Sequence, residues 1–140
     1  MRASDRGSTT LELVIWTPAL LLLIAAVVLA GRVAQARLTV EAAASEAARA
    51  ATAAPSLAGA EPAAVRAAEA ALGSAGLRCS PSSVAVDTSQ WLLPPGVPGR
   101  VTTTVTCQVP LDDLGMPGLA GVRTVQASAS SALDTYRARL

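Results

Sequence analysis

Residues 13–31 read LVIWTPALLLLIAAVVLAG, nineteen positions without a charged side chain. At the helical rise, a run of about 19 residues covers roughly 28 Å, close to the hydrocarbon thickness of a bilayer. A helix apolar on every side must be enclosed either by protein or by lipid. The chain has 140 residues, and the roughly one hundred left over form too small a globule to surround residues 20–23 and 27–29 completely. The run is therefore read as one transmembrane span. Pro18 lies inside it, removes one backbone hydrogen bond, and is expected to kink the helix or interrupt it locally.

Beyond the span, Arg32, Arg37, Glu41, Glu46 and Arg49 stand at helical spacing in an alanine-rich stretch that ends at Ala54 and Pro55. Glu46 and Arg49 are three apart and can pair on a solvated face. Span and extension together make one helix of roughly 40 residues, about 60 Å long. A break over 55–59 precedes a second, short helix. Glu61 lies near its start, Pro62 is placed in its first turn and Gly73 is its stop, with Val65, Ala68 and Leu72 facing inward.

From residue 76 onward the period changes to two. Val84 and Val86 alternate within 83–87. Over 100–109, Val101, Thr103, Val105, Cys107 and Val109 share one face, while Arg100, Thr102, Thr104, Thr106 and Gln108 share the other. Alternation returns over 122–130, with Val125, Ala127 and Ala129 on the expected inner side, small enough to let an alanine-rich helix come close. The connection 88–99 is long and proline-stiffened. Its Trp91, Leu92 and Leu93 either fold back over the sheet edge or form an exposed contact for a neighbouring subunit. The adjacent Asp112 and Asp113 in 110–121 read as turn or helix caps. The expected fold class is α+β: a long N-terminal transmembrane helix, a short second helix and a three-stranded antiparallel sheet.

Composition narrows the function. Histidine is absent, which removes the usual general base and the commonest metal ligand. No catalytic, cofactor-binding or metal site is expected, and the chain is read as no enzyme. A net charge of +1 and only three aromatic residues, two Trp and one Tyr, argue against a nucleic-acid surface.

Gly7-Ser8-Thr9-Thr10-Leu11-Glu12 runs directly into the apolar span. It resembles the type IV prepilin leader, in which a membrane-embedded aspartic peptidase cuts after a glycine and the fifth residue of the product is glutamate. Carried over, the cut falls between Gly7 and Ser8, and Glu12 becomes that fifth residue. Glycine leaves the backbone unobstructed for the peptidase. Cleavage exposes an α-amino cation at Ser8, costly beside apolar neighbours, which Glu12 of an adjacent subunit can neutralise. Read alone, Glu12 is equally an interfacial carboxylate near a helix N-terminus. With Arg6, Pro18, the leucine run and Gly31-Arg32, the N-terminal 35 residues resemble the TadE-like family of tight-adherence pseudopilins. The alanine-rich helix and strands that follow are similar to short, actinobacterial-type TadE-like proteins.

The resemblance implies a leader over 1–7, a long helix over 8–54 containing the span, and an extracytoplasmic α+β domain over 55–140. It implies a minor pilin or pseudopilin of tight-adherence (Flp-type) pilus assembly, in the cytoplasmic membrane or a surface filament. Its partners would be a prepilin peptidase, other pilins and pseudopilins, and an inner-membrane assembly platform. Arginine counts on the two sides of the span balance, so orientation comes from the resemblance: N-terminus inside, sheet outside. On that oxidising side, Cys79 and Cys107 are expected to form a disulfide, since a hairpin through 88–99 brings both to one end. Two unrelated buried thiols are the alternative. Two other readings of the whole chain remain: a secretory signal cut after Ala34-Gln35-Ala36, and a single-span anchored binding protein with no pilus role.

Overall fold

The computed structural model describes residues 8–79, 82–115, 118 and 120–136; for residues 8–13 and 15 the description is of the backbone alone. The elements follow in the order α1 (Ser8–Ala53), α2 (Leu57–Ser74), β1 (Ser82–Asp87), β2 (Arg100–Pro110) and β3 (Val122–Ala132). The α+β architecture anticipated from periodicity is the one observed. The sheet is antiparallel in the order β1-β2-β3. Both helices lie on one face of it, α1 across β2 and β3, and α2 beside α1 and over β1.

α1 is 46 residues long and helical through Pro18 without interruption. Two regimes divide it. Over 16–28 every side chain is exposed, and the bulky Trp16, Leu22 and Val27 have no protein to cover them. From Leu29 onward one stripe turns inward through Ala36, Val40, Ala43, Ala44, Ala47, Ala51 and Ala54, all buried. The spacing of three and four is that of a helix face. Salt bridges Arg37–Glu41 (3.1 Å) and Arg49–Glu46 (3.5 Å) occupy the wet side.

The short second helix differs from the sequence expectation at both ends. It begins at Leu57, with Ser56 extended at the N-cap, so Pro62 is its sixth residue rather than part of the first turn. The extra turn is tightened by the Gly59 N–H donating to the Ser56 carbonyl three residues back (3.1 Å). The stop is Gly76, not Gly73. Gly76 adopts φ +69°, its N–H reaches the Gly73 carbonyl (3.1 Å), and the Leu77 N–H reaches that of Leu72 (3.2 Å). This paired closure requires a left-handed residue, which glycine supplies without a Cβ penalty. Ala60, Ala64, Ala68 and Leu72 are buried on α2, while Val65 is only half-buried.

On β2 the alternation is complete: Val101, Thr103, Val105, Cys107 and Val109 are buried to the last per cent. Val84 and Val86 of β1 pair with Val105 and Thr103, and Ala127 and Ala129 of β3 lie opposite Val105 and Thr103 from the other side. Small residues on β3 meet the alanine stripe of α1, so helix and sheet approach closely. One buried hydroxyl sits in this seam. Thr103 Oγ1 donates to the Ala44 carbonyl at 2.7 Å, which satisfies a group that would otherwise be costly inside an apolar core. On the outer face, hydroxyls pair across strands, Thr102 with Ser130 (3.1 Å) and Thr104 with Ser128 (2.8 Å).

The loop 88–99 divides its apolar side chains. Trp91 folds into the core, whereas Leu92 stays 73% exposed. The loop is tied to the C-terminal tail by the Leu133 N–H on the Gly99 carbonyl (2.8 Å) and the Gly96 N–H on that of Thr135 (3.0 Å).

Candidate functional site: an exposed apolar helix

Among the described residues the apolar helix holds the longest run of exposed side chains. Val14, Trp16, residues 20–24, Val27 and Val28 are all more than half exposed, in a helix long and apolar enough to cross a membrane. The ridge of Leu, Ile and Val forms a continuous apolar cylinder. In water its burial would be favourable by about 25 cal/mol for each Å² removed, so lipid or neighbouring helices must supply the cover.

The sequence-derived residues at its foot fall as follows. Gly7 lies outside the described residues. Ser8 is the first described residue and already lies in α1. Glu12 lies on the α1 backbone, but its side chain lies outside the described residues. Pro18 is exposed within the helix.

Beside the middle of the long helix the small domain is closed covalently. Cys79 and Cys107 form a disulfide with a Cα–Cα distance of 5.1 Å. Cys107 comes from the inner face of β2, and Cys79 from the segment that enters β1, whose first residue Ser82 pairs with Cys107. The bridge therefore joins the exit of α2 to the middle strand. Asp112 and Asp113 are not a carboxylate pair with shared chemistry. The Asp112 carbonyl accepts from the Gly115 N–H (3.0 Å) in a turn, and the Asp113 carboxylate faces Arg78 Nε at 3.7 Å. Among the described residues no cluster of three or more His, Cys, Asp or Glu is placed to hold a metal.

Pattern reading placed Arg32 on the helix after the apolar run but did not find its contact with the β2–β3 loop. The Arg32 side chain lies along this loop so closely that a Cβ at Gly115 would stand 2.9 Å from Arg32 Nη1. Gly115 has φ +89°. The sequence signal was present, a glycine in a turn after two aspartates, but its partner 83 positions upstream was not.

A single apolar helix carrying a small α+β head is a pilin-like arrangement. Residues 7–49 match the family described as TadE-like protein. The match takes in the exposed apolar helix and the first part of its packed half, and it supports a pilus-associated, pseudopilin-like role in general terms. No curated protein and no solved structure matches the chain.

Proposed function

We propose that this chain is a structural subunit of tight-adherence pilus assembly, a minor pilin or pseudopilin rather than an enzyme. A prepilin peptidase releases it by cutting between Gly7 and Ser8, leaving a membrane-rooted helix over 8–54 and an extracytoplasmic head over 55–140. The single observation that carries this reading is the TadE-like match, which begins at Gly7 and runs through the exposed apolar helix into its packed half. Pro18 removes the N–H that would bond the Val14 carbonyl, and is the place where the span bends. The new α-amino group at Ser8 is held by Glu12 of a neighbouring pilin, because an uncompensated charge beside apolar side chains costs several kcal/mol. Other pilins and the inner-membrane assembly platform cover the helix in turn.

The packed core argues against the secretory alternative. Ala36 is buried in the middle of a continuous helix, and a cut after it would detach Leu29 and Val33 from the cluster they pack against.

Intact mass of the protein from native membranes tests the reading. A chain starting at Ser8 is expected; one starting at Met1 would be an unprocessed anchor, and one starting at Arg37 a secreted protein. Glu12→Gln should be inserted and cleaved normally yet fail to co-purify with sheared pili or the other pilins of the system. Normal incorporation of that variant would reduce Glu12 to an interfacial carboxylate.

A further inference from the structure

The apolar run and the head overlap in height along α1, and the overlap is not a small one. The loop between β2 and β3 reaches down to Ala25: a crevice of about 230 Å³ is lined by Ala25, Val28, Leu29 and Arg32 of α1 and by Leu114 and Gly115 of the loop. Leu114 is buried there, and Leu29 and Leu111 pack against the same cluster. Ala25 is seven residues below Arg32, about 10 Å along the axis. Were the loop to stand wholly in water, the uncovered apolar helix would shrink to residues 13–24. That is roughly 18 Å, well short of the roughly 30 Å a bilayer core needs.

The chemistry of the loop fits a different placement. Residues 114–122 carry no charge, and Val122 is 55% exposed. The charged groups at this end are Arg32, Arg78 and Arg123 against Asp112 and Asp113, and Arg78 already faces Asp113. Arg123 belongs here because it pairs with Val109 at the loop end of the sheet. The opposite end of the molecule is separated by the length of the strands: the Thr52 and Ser131 hydroxyls meet at 3.1 Å high on α1, and the 88–99 loop is at that end.

We propose that the β2–β3 loop is a lipid-contacting lip that seats the head on the outer surface of the bilayer. Its described uncharged residues, Leu114, Gly115 and Ala120 to Val122, lie among the headgroups and upper acyl chains, and the arginines around them lie at phosphate level. The partner is a zwitterionic lipid surface, since three arginines against two aspartates leave little net charge for anionic lipid to attract. The head is thereby held upright beside its own helix while it is in the membrane, and lifting it out of the bilayer removes the contact. This inference rests on the membrane-anchored reading above.

The test uses the full chain in phosphatidylcholine vesicles, with the native disulfide kept and an environment-sensitive fluorophore on one added cysteine at a time. Ala120→Cys reports the loop, Leu92→Cys the distal end and Leu22→Cys the span. Spin-labelled lipids carrying the quencher at the headgroup or deep in the acyl chain report depth. The label at 120 is expected to be quenched several-fold more strongly by the headgroup quencher than the label at 92, and the label at 22 to respond to the deep quencher. If 22 responds and 120 behaves like 92, the lip is overturned and the anchor stands. If neither 22 nor 120 responds, the anchor falls and the lip with it. Adding anionic phosphatidylglycerol should leave the result at 120 unchanged, and a lip that forms only with anionic lipid would overturn the zwitterionic assignment.

Discussion

The lower and upper halves of α1 obey different rules although they are one helix. Over 16–28 the side chains are Leu, Ile, Val, Trp and Ala apart from Thr17 and Pro18, and all are exposed; over 36–54 the buried stripe is nearly all Ala, with Val40 the exception. Bulk suits a helix whose solvent is hydrocarbon, because large side chains fill a fluid surround without needing complementary partners. Alanine suits a helix pressed onto another helix and a sheet, where every added methylene must displace a neighbour. The exposed surface below and the buried stripe above are both largely apolar, so the contrast shows that side-chain volume, more than hydrophobicity, separates an uncovered helix surface from a packed one.

The largest break in that comparison comes from the disulfide, which acts on the head alone. The cysteines are 28 residues apart, and the chain-entropy estimate for a loop of this size is about 3 to 4 kcal/mol. Cys79→Ser with Cys107→Ser should lower head stability by that order in detergent, measured by denaturant unfolding, while leaving membrane insertion of α1 intact. A second contrast sets volume against position. Ala44→Leu, at a fully buried site, is expected to cost about 1 to 3 kcal/mol or more through overpacking. Leu22→Ala, at a site 72% exposed, should change head unfolding by no more than about 0.5 kcal/mol. Equal effects from the two would end the distinction between the halves.

A finer probe is Thr103→Val, which keeps the shape of the seam but removes the donor to the Ala44 carbonyl. The expected loss is about 0.5 to 1.5 kcal/mol, because the carbonyl remains within the helix and only the hydroxyl bond is lost. The smallest effect belongs to Asp87 in the distal turn. The Ser89 backbone N–H donates to its carboxylate at 2.9 Å, and the Ser89 side chain adds to this, holding Asp87 below its ordinary value of 3.8. A depressed carboxylate contributes stability that is present above the ordinary value and lost as pH falls through the folded one. NMR titration of the Asp87 carboxyl should give a midpoint under 3.8, and one at or above it would remove this turn contact.

Much of the head was legible because a strand with one wet face advertises itself. Thr103 and Cys107 were assigned to the inner face by parity alone, and both are fully buried. The ends of α2 were not legible. Pro62 and Gly73 are both good punctuation, but the turn ahead of Pro62 and the paired closure at Gly76 depend on backbone hydrogen bonds that more than one glycine in the segment could have donated. Trp91 to Leu93 likewise could not be divided in advance, since neighbouring apolar residues on a loop differ only in which way the backbone carries them.

The sequence by itself determined the long apolar helix, the α+β order of elements and the faces of β2 and β3, because each rests on local composition or on a period of 3.6 or 2. Only the tertiary structure decided how far down α1 the head reaches. The contact of Leu114 and Gly115 with Ala25 to Arg32 joins segments more than eighty residues apart, and no local pattern in either segment names the other. Such contacts are set by how closely an alanine-faced helix can approach a sheet and by where the register of β2 and β3 leaves their connecting loop.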